Sequence, residues 1–413
     1  MVRKLNILFC DRLSPRSPDG QSTHIHELLS GLSKIGHNVV ALNADYTKGH
    51  RDGETNMKPT AWTRIKNSVS QSRLLKPVAG EIALVWSFLY EMYIFISAFI
   101  LIARRRERFD LIYRRHNLFS GAYVLGRLFG IPSVKEVNGI VADEAKIKKR
   151  WDRGSLWVID KIERLNMAKA DKFIVVTPKL KELLHSEYGV KSDRITVIQN
   201  GVNTDVFRPM NTIKVREELI LRQNHNYICF VGLLAQWQGI EYVIRSMPIV
   251  LSKCPQTQLI IVGEGETKQE LIKLSEQVGI SDKVMFAGMV PYQKVPLYMN
   301  ASDVCIAPKV GLKSGYSPLK LYEYMACEKP VVASRASGLE ILEDIQGGIL
   351  VEPGNSIELA TAIIKLLKER KLRKQMGENS RKYALQNQSW ECVAKRVTEV
   401  LSETTKIRYQ KGI

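Results

Sequence analysis

Lys320 and Glu323 stand three residues apart inside SGYSPLKLYEYMACEKPVVAS, residues 314–334, within an otherwise apolar run that opens on Gly, Ser and Pro. Ser317 is a good N-cap, Pro318 suits a first helical position, and Leu319, Leu321, Tyr322, Met325 and Ala326 continue a helix from about residue 318. Lys329 and Pro330 interrupt it, and Val331, Val332 and Ala333 then read as a buried parallel strand. A helix start behind a Gly-containing loop offers unpaired N–H groups and a positive dipole end, which suits phosphate. Lys320 adds a point charge there, and Glu323 is placed to accept hydrogen bonds from vicinal hydroxyls such as a ribose diol. The plainer alternative is a surface helix on which both charges are simply solvated.

The elements around this stretch alternate strand and helix almost throughout. LNILFC, HNVVALN, FDLIYRR, SVKEV, KFIVVT and ITVIQN read as strands in the first half, and YICFVG, QLIIVGEG, KVMFAG, VCIAP, KPVVAS and ILVEP in the second. Helical patterns such as HIHELLSGLSKIG and IEYVIRSMPIVLSK separate them. Two doubly wound α/β domains with parallel sheets follow, the first over 1–208 and the second over 209–385, with a break at the turn residues of NGVNTDVFRP. Residues 386–413 are expected to form a helix and tail that pack back toward the first domain. Ligands of open α/β sheets bind at the carboxyl ends of the strands, so a cleft between the domains is the expected site.

With 413 residues, 45% of them hydrophobic and 25% charged, the chain is neither disordered nor fibrous. Its six cysteines are scattered without metal-ligand spacing and read as reduced residues of a cytoplasmic protein. The net charge of +19 is uneven: residues 1–205 hold 33 Lys and Arg against 21 Asp and Glu. That excess suits an anionic membrane surface or a nucleic acid, and the chain has no aromatic-interleaved basic motif of a nucleic-acid binder. The membrane reading gains from IALVWSFLYEMYIFISAFILIA, residues 82–103, followed at once by RRRER. The segment is long enough to span a bilayer, but FDLIY directly after it favours a core helix with a membrane-facing side. A peripheral protein on the inner face of a membrane is the expectation.

Several stretches in order resemble the glycosyltransferase family 4 enzymes, whose fold is the two-domain GT-B architecture. They are PDGQSTHIHEL with KIGHNVV, FIVVTPKLKELL, VIQNGVNTDVFRP, FVG, LIIVGEGE, VMFAGMVPYQKVPLYMNASDVCIAP and LKLYEYMACEKPVV. The resemblance implies transfer of a sugar, with retention of anomeric configuration, from a UDP- or GDP-sugar to a glycan or lipid-linked acceptor, without a metal or other cofactor. It makes Glu323 the second Glu of the family's Glu, seven residues, Glu motif, a ribose ligand, and extends the donor set to Gly20, Gly232, Gly265, Gly315, Tyr316, Ser317 and Leu319. Lys320, His24 and Asn138 are the expected catalytic residues, and Glu136, Glu144 and Arg115 are expected to orient the acceptor, with His116 beside Arg115. Three departures stand out: Gly315 replaces the first motif Glu, and Leu233 and Gln238 replace an Arg and a Lys that hold phosphate in relatives. Lys309, Lys313 or Lys320 are the cations left to substitute, and Trp237 is read as a packing or lid residue. Because of these departures a non-catalytic nucleotide- or partner-binding protein of the same fold stays open, as does an epimerase or phosphorylase.

Overall fold

The computed structural model describes residues 3–11, 20–42, 79–104, 109–119, 121–147, 152–310, 315–316 and 319–410. The chain divides into two compact units, one formed by residues 1–199 with 393–413 and the other by 200–392.

The first unit is a six-stranded parallel sheet of β1 (Asn6–Cys10), β2 (Asn38–Leu42), β3 (Leu111–Arg115), β4 (Ser133–Val137), β5 (Lys172–Val175) and β6 (Ile195–Val197), in the order β2-β1-β3-β4-β5-β6. Its helices are α1 (Gly20–Ile35), α2 (Ala79–Arg104), α3 (Gly121–Leu128), α4 (Val141–Ile147), α5 (Arg153–Met167) and α6 (Pro178–Ser186). Apolar strands such as β1 can be satisfied only with both faces covered, and β1 and β5 are buried almost throughout; β4 is fully buried as well although it carries Ser133, Lys135 and Glu136.

The second unit repeats the plan with β7 (Asn226–Val231), β8 (Thr257–Val262), β9 (Val284–Gly288), β10 (Val304–Ala307), β11 (Val331–Ser334) and β12 (Gly348–Val351), in the order β12-β11-β10-β7-β8-β9. Between and after them run α7 (Thr212–Glu218), α8 (Ile240–Lys253), α9 (Lys268–Gln277), α10 (Val295–Ala301), α11 (Leu319–Ala326), α12 (Ile341–Asp344), α13 (Ser356–Lys368), α14 (Arg370–Asn387) and α15 (Trp390–Gln410). Alternate residues of one strand feed opposite cores. Ile228 and Phe230 of β7 pack with Val243 and Ile363, while Cys229 and Val231 pack with Tyr324 and Leu321. From Val393 onward α15 belongs to the first unit, where Thr398 Oγ1 lies 3.0 Å from Nε2 of the buried His37; His37 Nδ1 in turn accepts the Leu5 N–H at 3.2 Å.

The apolar stretch that raised the membrane question is α2. It is long and apolar enough to cross a bilayer. Glu91, however, is buried within the first unit and paired with the buried Arg114 of β3, and Asn117 donates to the same carboxylate at 3.3 Å. Tyr90, Ile94 and Ala98 lie on that buried side. The opposite side leaves Val85, Phe88, Leu89, Met92, Tyr93, Ile96, Phe99 and Ile100 exposed, a stripe at helical spacing. It continues onto α3 and the turn after it through Phe99 against Phe129, with Val124 and Leu128 also exposed.

Candidate functional site

In each sheet the strand order reverses once, and the carboxyl ends of the strands at that seam are where open α/β sheets bind ligands. In the second unit the seam lies between β7 and β10. Val231 is followed by Gly232 and Ala307 by Pro308 and Lys309, so these residues emerge side by side. The Val231 N–H donates to the Tyr324 hydroxyl at 2.8 Å, which ties the end of β7 to α11.

Lys320 and Glu323 sit on α11 beside this seam. Lys320 Nζ lies 4.0 Å from the centre of the Phe230 ring and donates to Gln238 Oε1 at 2.9 Å. Gly232 has φ +140°, and a Cβ there would stand 2.5 Å from Lys320 Nζ, so glycine is what lets the lysine lie across the strand end. The Glu323 carboxylate has no hydrogen-bond partner among the described residues. Both groups keep some surface toward water, yet the protein packed around them removes most of their hydration. Burial pulls the Lys320 ammonium down to about 7 against the opposing charge of Glu323, and burial pushes the Glu323 carboxyl up to about 7 against Lys320.

A second lysine joins the first. Lys309, 5% exposed, donates from Nζ to the same Gln238 Oε1 at 2.6 Å. Its nitrogen lies 4.6 Å from the Trp237 ring and 4.9 Å from the Tyr316 ring, which stack on each other at 6.3 Å. No salt bridge reaches it from a described carboxylate, and burial, reinforced by the charge of Lys320, pulls its ammonium well below the ordinary lysine value. Gln238, expected only as the place of a missing cation, is thus the oxygen on which two ammonium groups converge. Trp237 packs as expected, with the added consequence that its face meets Lys309. The sequence offered Lys309 and Lys320 as substitute cations, but not that both converge on Gln238.

The remaining donor-side residues fall around the same strand ends. Gly265 packs against the Leu234 backbone, and the Leu234 N–H donates to the Glu264 carbonyl at 2.9 Å. Gly315 has φ +74°, a left-handed backbone that a glutamate would adopt only under strain, and the Tyr316 N–H donates to the Ser337 carbonyl at 3.1 Å. Leu319 is the first residue of α11. Ser317 and Lys313 lie outside the described residues.

In the first unit the seam lies between β1 and β3. Close by, at the ends of β3 and β4, Glu136, 2% exposed, gathers most of the residues expected there. His24 Nε2 lies 2.7 Å from its Oε1, the Asn138 amide donates to the same atom at 2.6 Å, Arg115 Nε is 3.5 Å away, and the Tyr113 hydroxyl donates to Oε2 at 2.5 Å. Burial alone would raise the Glu136 carboxyl, but His24, Arg115 and Tyr113 outweigh it and hold the group well below the usual carboxylate range. So surrounded, Glu136 fixes its neighbours and is not an accessible base. Asn138 Oδ1 and Arg115 Nη1 are buried and without a partner among the described residues. Alongside, Glu163 accepts from the Val141 and Ala142 N–H groups at 2.8 Å each and meets His116 Nε2 at 2.6 Å, capping α4. Neither Tyr113 nor Glu163 was marked by sequence; Glu163 acts from α5, far along the chain. Glu144 lies on α4 and Gly20 opens α1, the loop before it lying outside the described residues.

Among the described residues no group of acidic, His and Cys side chains is arranged to hold a metal. Two parallel α/β units, each with a reversed strand order, make the GT-B glycosyltransferase architecture. Solved structures of that class are similar: sucrose-phosphate synthase from Thermosynechococcus elongatus has a TM-score of 0.72 at 19% identity, covering 98% of this chain and 100% of that one. HepE from Anabaena in complex with UDP-glucose gives 0.69 at 19% identity, covering 97% and 100%. In sequence, the chain is 27% identical over 404 residues to an uncharacterized glycosyltransferase of Methanocaldococcus jannaschii, covering 94% of this chain and 95% of that protein. The model of the glycosyl transferases group 1 matches residues 211–383 and that of glycosyltransferase family 4 matches residues 18–206. The chain belongs to the group 1, family 4 glycosyltransferases and is a transferase enzyme.

Proposed function

We propose that this enzyme transfers a sugar, with retention, from a nucleoside diphosphate sugar to a lipid-borne glycan acceptor at the cytoplasmic face of a membrane, in the assembly of surface polysaccharide or glycoconjugate. The observation that carries the donor reading is that Lys320 and an unengaged Glu323 lie on one helix beside Gly232, at the strand ends where such sheets bind ligands. Glu323 accepts the ribose hydroxyls and Lys320 meets the diphosphate. That HepE was solved with UDP-glucose supports a UDP-sugar, with a GDP-sugar as the alternative. In the transfer the bond from the sugar's anomeric carbon to the phosphate oxygen breaks, and the acceptor oxygen bonds to the same face of that carbon. The departing phosphate takes the acceptor's proton, so no side-chain base is required, and the lysine stabilises the charge that develops on the leaving group. On the acceptor side Asn138 Oδ1 and Arg115 Nη1 are the buried groups left to bind a hydroxyl or a phosphate, held in place by Glu136 together with His24. Glu144 is assigned to the same side.

The lipid-borne acceptor rests on the exposed stripe of α2 and the basic excess of residues 1–205, a combination that suits a helix lying in an anionic membrane interface. The test is nucleotide release from UDP-, GDP-, ADP- and dTDP-sugars, with and without membrane lipid extract. Release from one donor that depends on the extract is expected. A nucleotide that binds without being released from any sugar would overturn catalysis in favour of a binding protein. Glu323→Gln should raise the donor KM roughly tenfold or more with less effect on kcat, and an unchanged KM would remove the ribose role.

A further inference from the structure

We infer that Lys309 and Lys320 act together as a two-ammonium clamp on the donor diphosphate, with the neutral amide of Gln238 holding both nitrogens at one place. The inference deepens the donor reading above and rests on it. The two lysines arrive from separate elements: Lys309 follows β10 and Lys320 lies on α11, while Gln238 belongs to the segment after β7. Their nitrogens reach one oxygen, at 2.6 and 2.9 Å, so they can be no farther apart than those two distances together allow.

An ammonium carries three donors, and among the described residues one hydrogen bond is made by each. Burying such a group without a counter-ion is costly, and a second cation alongside adds repulsion. Glu323 offsets Lys320 in part, but no described carboxylate pairs with Lys309, whose other neighbours are the Trp237 and Tyr316 rings. Two like charges gathered at the strand ends with a shortage of negative charge are arranged for a multiply charged anion, and a diphosphate presents oxygens enough to satisfy both. Gly232 belongs to the device, because any side chain there would displace Lys320 Nζ. The same arrangement explains Gln238, though not Leu233. Leu233 is exposed, and a lysine in place of Gln238 would put a third ammonium where two already meet. A purely structural Lys309, serving only to hold the two rings, would be indifferent to the charge of the ligand.

The experiment is calorimetric titration of the full chain with inorganic pyrophosphate, with UDP, GDP, ADP and dTDP, and with the matching nucleosides. Wild type, Lys309→Met, Lys320→Met and Gln238→Glu are compared, with melting temperature as the check on folding. The wild type should bind pyrophosphate and one of the nucleoside diphosphates. Each lysine variant should weaken both roughly ten- to a hundredfold and leave nucleoside affinity unchanged. Gln238→Glu supplies a carboxylate between the ammonium groups and should weaken the diphosphates while keeping both lysines, so it decides the matter even where a lysine variant fails to fold. Wild-type diphosphate affinity in folded Lys309→Met, or in folded Gln238→Glu, would overturn the clamp while leaving the donor reading intact. A wild type that binds neither pyrophosphate nor any nucleoside diphosphate would overturn both.

Discussion

At the scale of single residues, burial shifts the titrating groups of the donor site. Lys320 and Glu323 are both brought to about 7, and Lys309 lies well below the ordinary lysine value. A bound diphosphate stabilises the ammonium form and so raises the lysine pKa. Above pH 7, where Lys320 in the free protein is mostly neutral, binding should therefore draw in protons. Below pH 7, where Glu323 is mostly protonated, hydrogen bonds from ribose hydroxyls favour the carboxylate, lower its pKa and release a proton. The net exchange on binding a nucleoside diphosphate should change from uptake at pH 8 toward release at pH 6, measurable by titration in buffers of different ionisation enthalpy. Proton exchange that stays flat across this range would exclude the pair from the binding site. Gly315 offers a second check. With its φ of +74°, Gly315→Glu restores the side chain expected of relatives only against backbone strain of about 1–3 kcal/mol, and should lower stability by that order in denaturant unfolding.

At the scale of elements, α2 shows what a sequence conveys and what it withholds. Its length and apolarity were plain, and so was Glu91, but hydrophobic residues occur all round the helix and no periodicity separates its faces. What separates them is Arg114, on another element, which draws Glu91 inward. Glu91→Ala should leave that guanidinium buried and unpaired and lower stability by about 3–5 kcal/mol in denaturant unfolding. On the other face, Ile96→Glu with Phe99→Glu should leave the melting temperature almost unchanged and abolish co-sedimentation with anionic vesicles; undiminished co-sedimentation would remove α2 from the membrane reading. Most of the twelve strands, by contrast, were legible one by one, because a strand buried on both faces is a short apolar run; β2 and β9 are partly exposed, and β4 is buried in spite of Lys135 and Glu136. The donor junction was legible only in part. Lys320 and Glu323 share one helix turn, whereas Lys309 and Gln238 meet them through sheet order, which no local pattern encodes.

At the scale of the whole molecule, two six-stranded units of like plan are joined so that the second is coded between two parts of the first. Residues 200–392 contain both faces of their own core and the whole Lys309, Gln238 and Lys320 junction. Expressed alone, they should fold cooperatively and bind a nucleoside diphosphate within a few-fold of the full chain, as a compact unit with its own core is expected to do. Removal of residues 393–413 should instead strip α15 from the first unit, expose His37 and its surroundings, and lower that unit's melting transition while sparing the other. The same threading sets an order of events on the ribosome. Residues 393–410 emerge only after everything that precedes them, so the half of the protein synthesised first cannot complete its packing until the half synthesised second has already left the exit tunnel. The nascent first unit, with the outward face of α2 among its earliest elements, must spend that interval unfinished, and a membrane surface or a chaperone has its longest opportunity to engage it then.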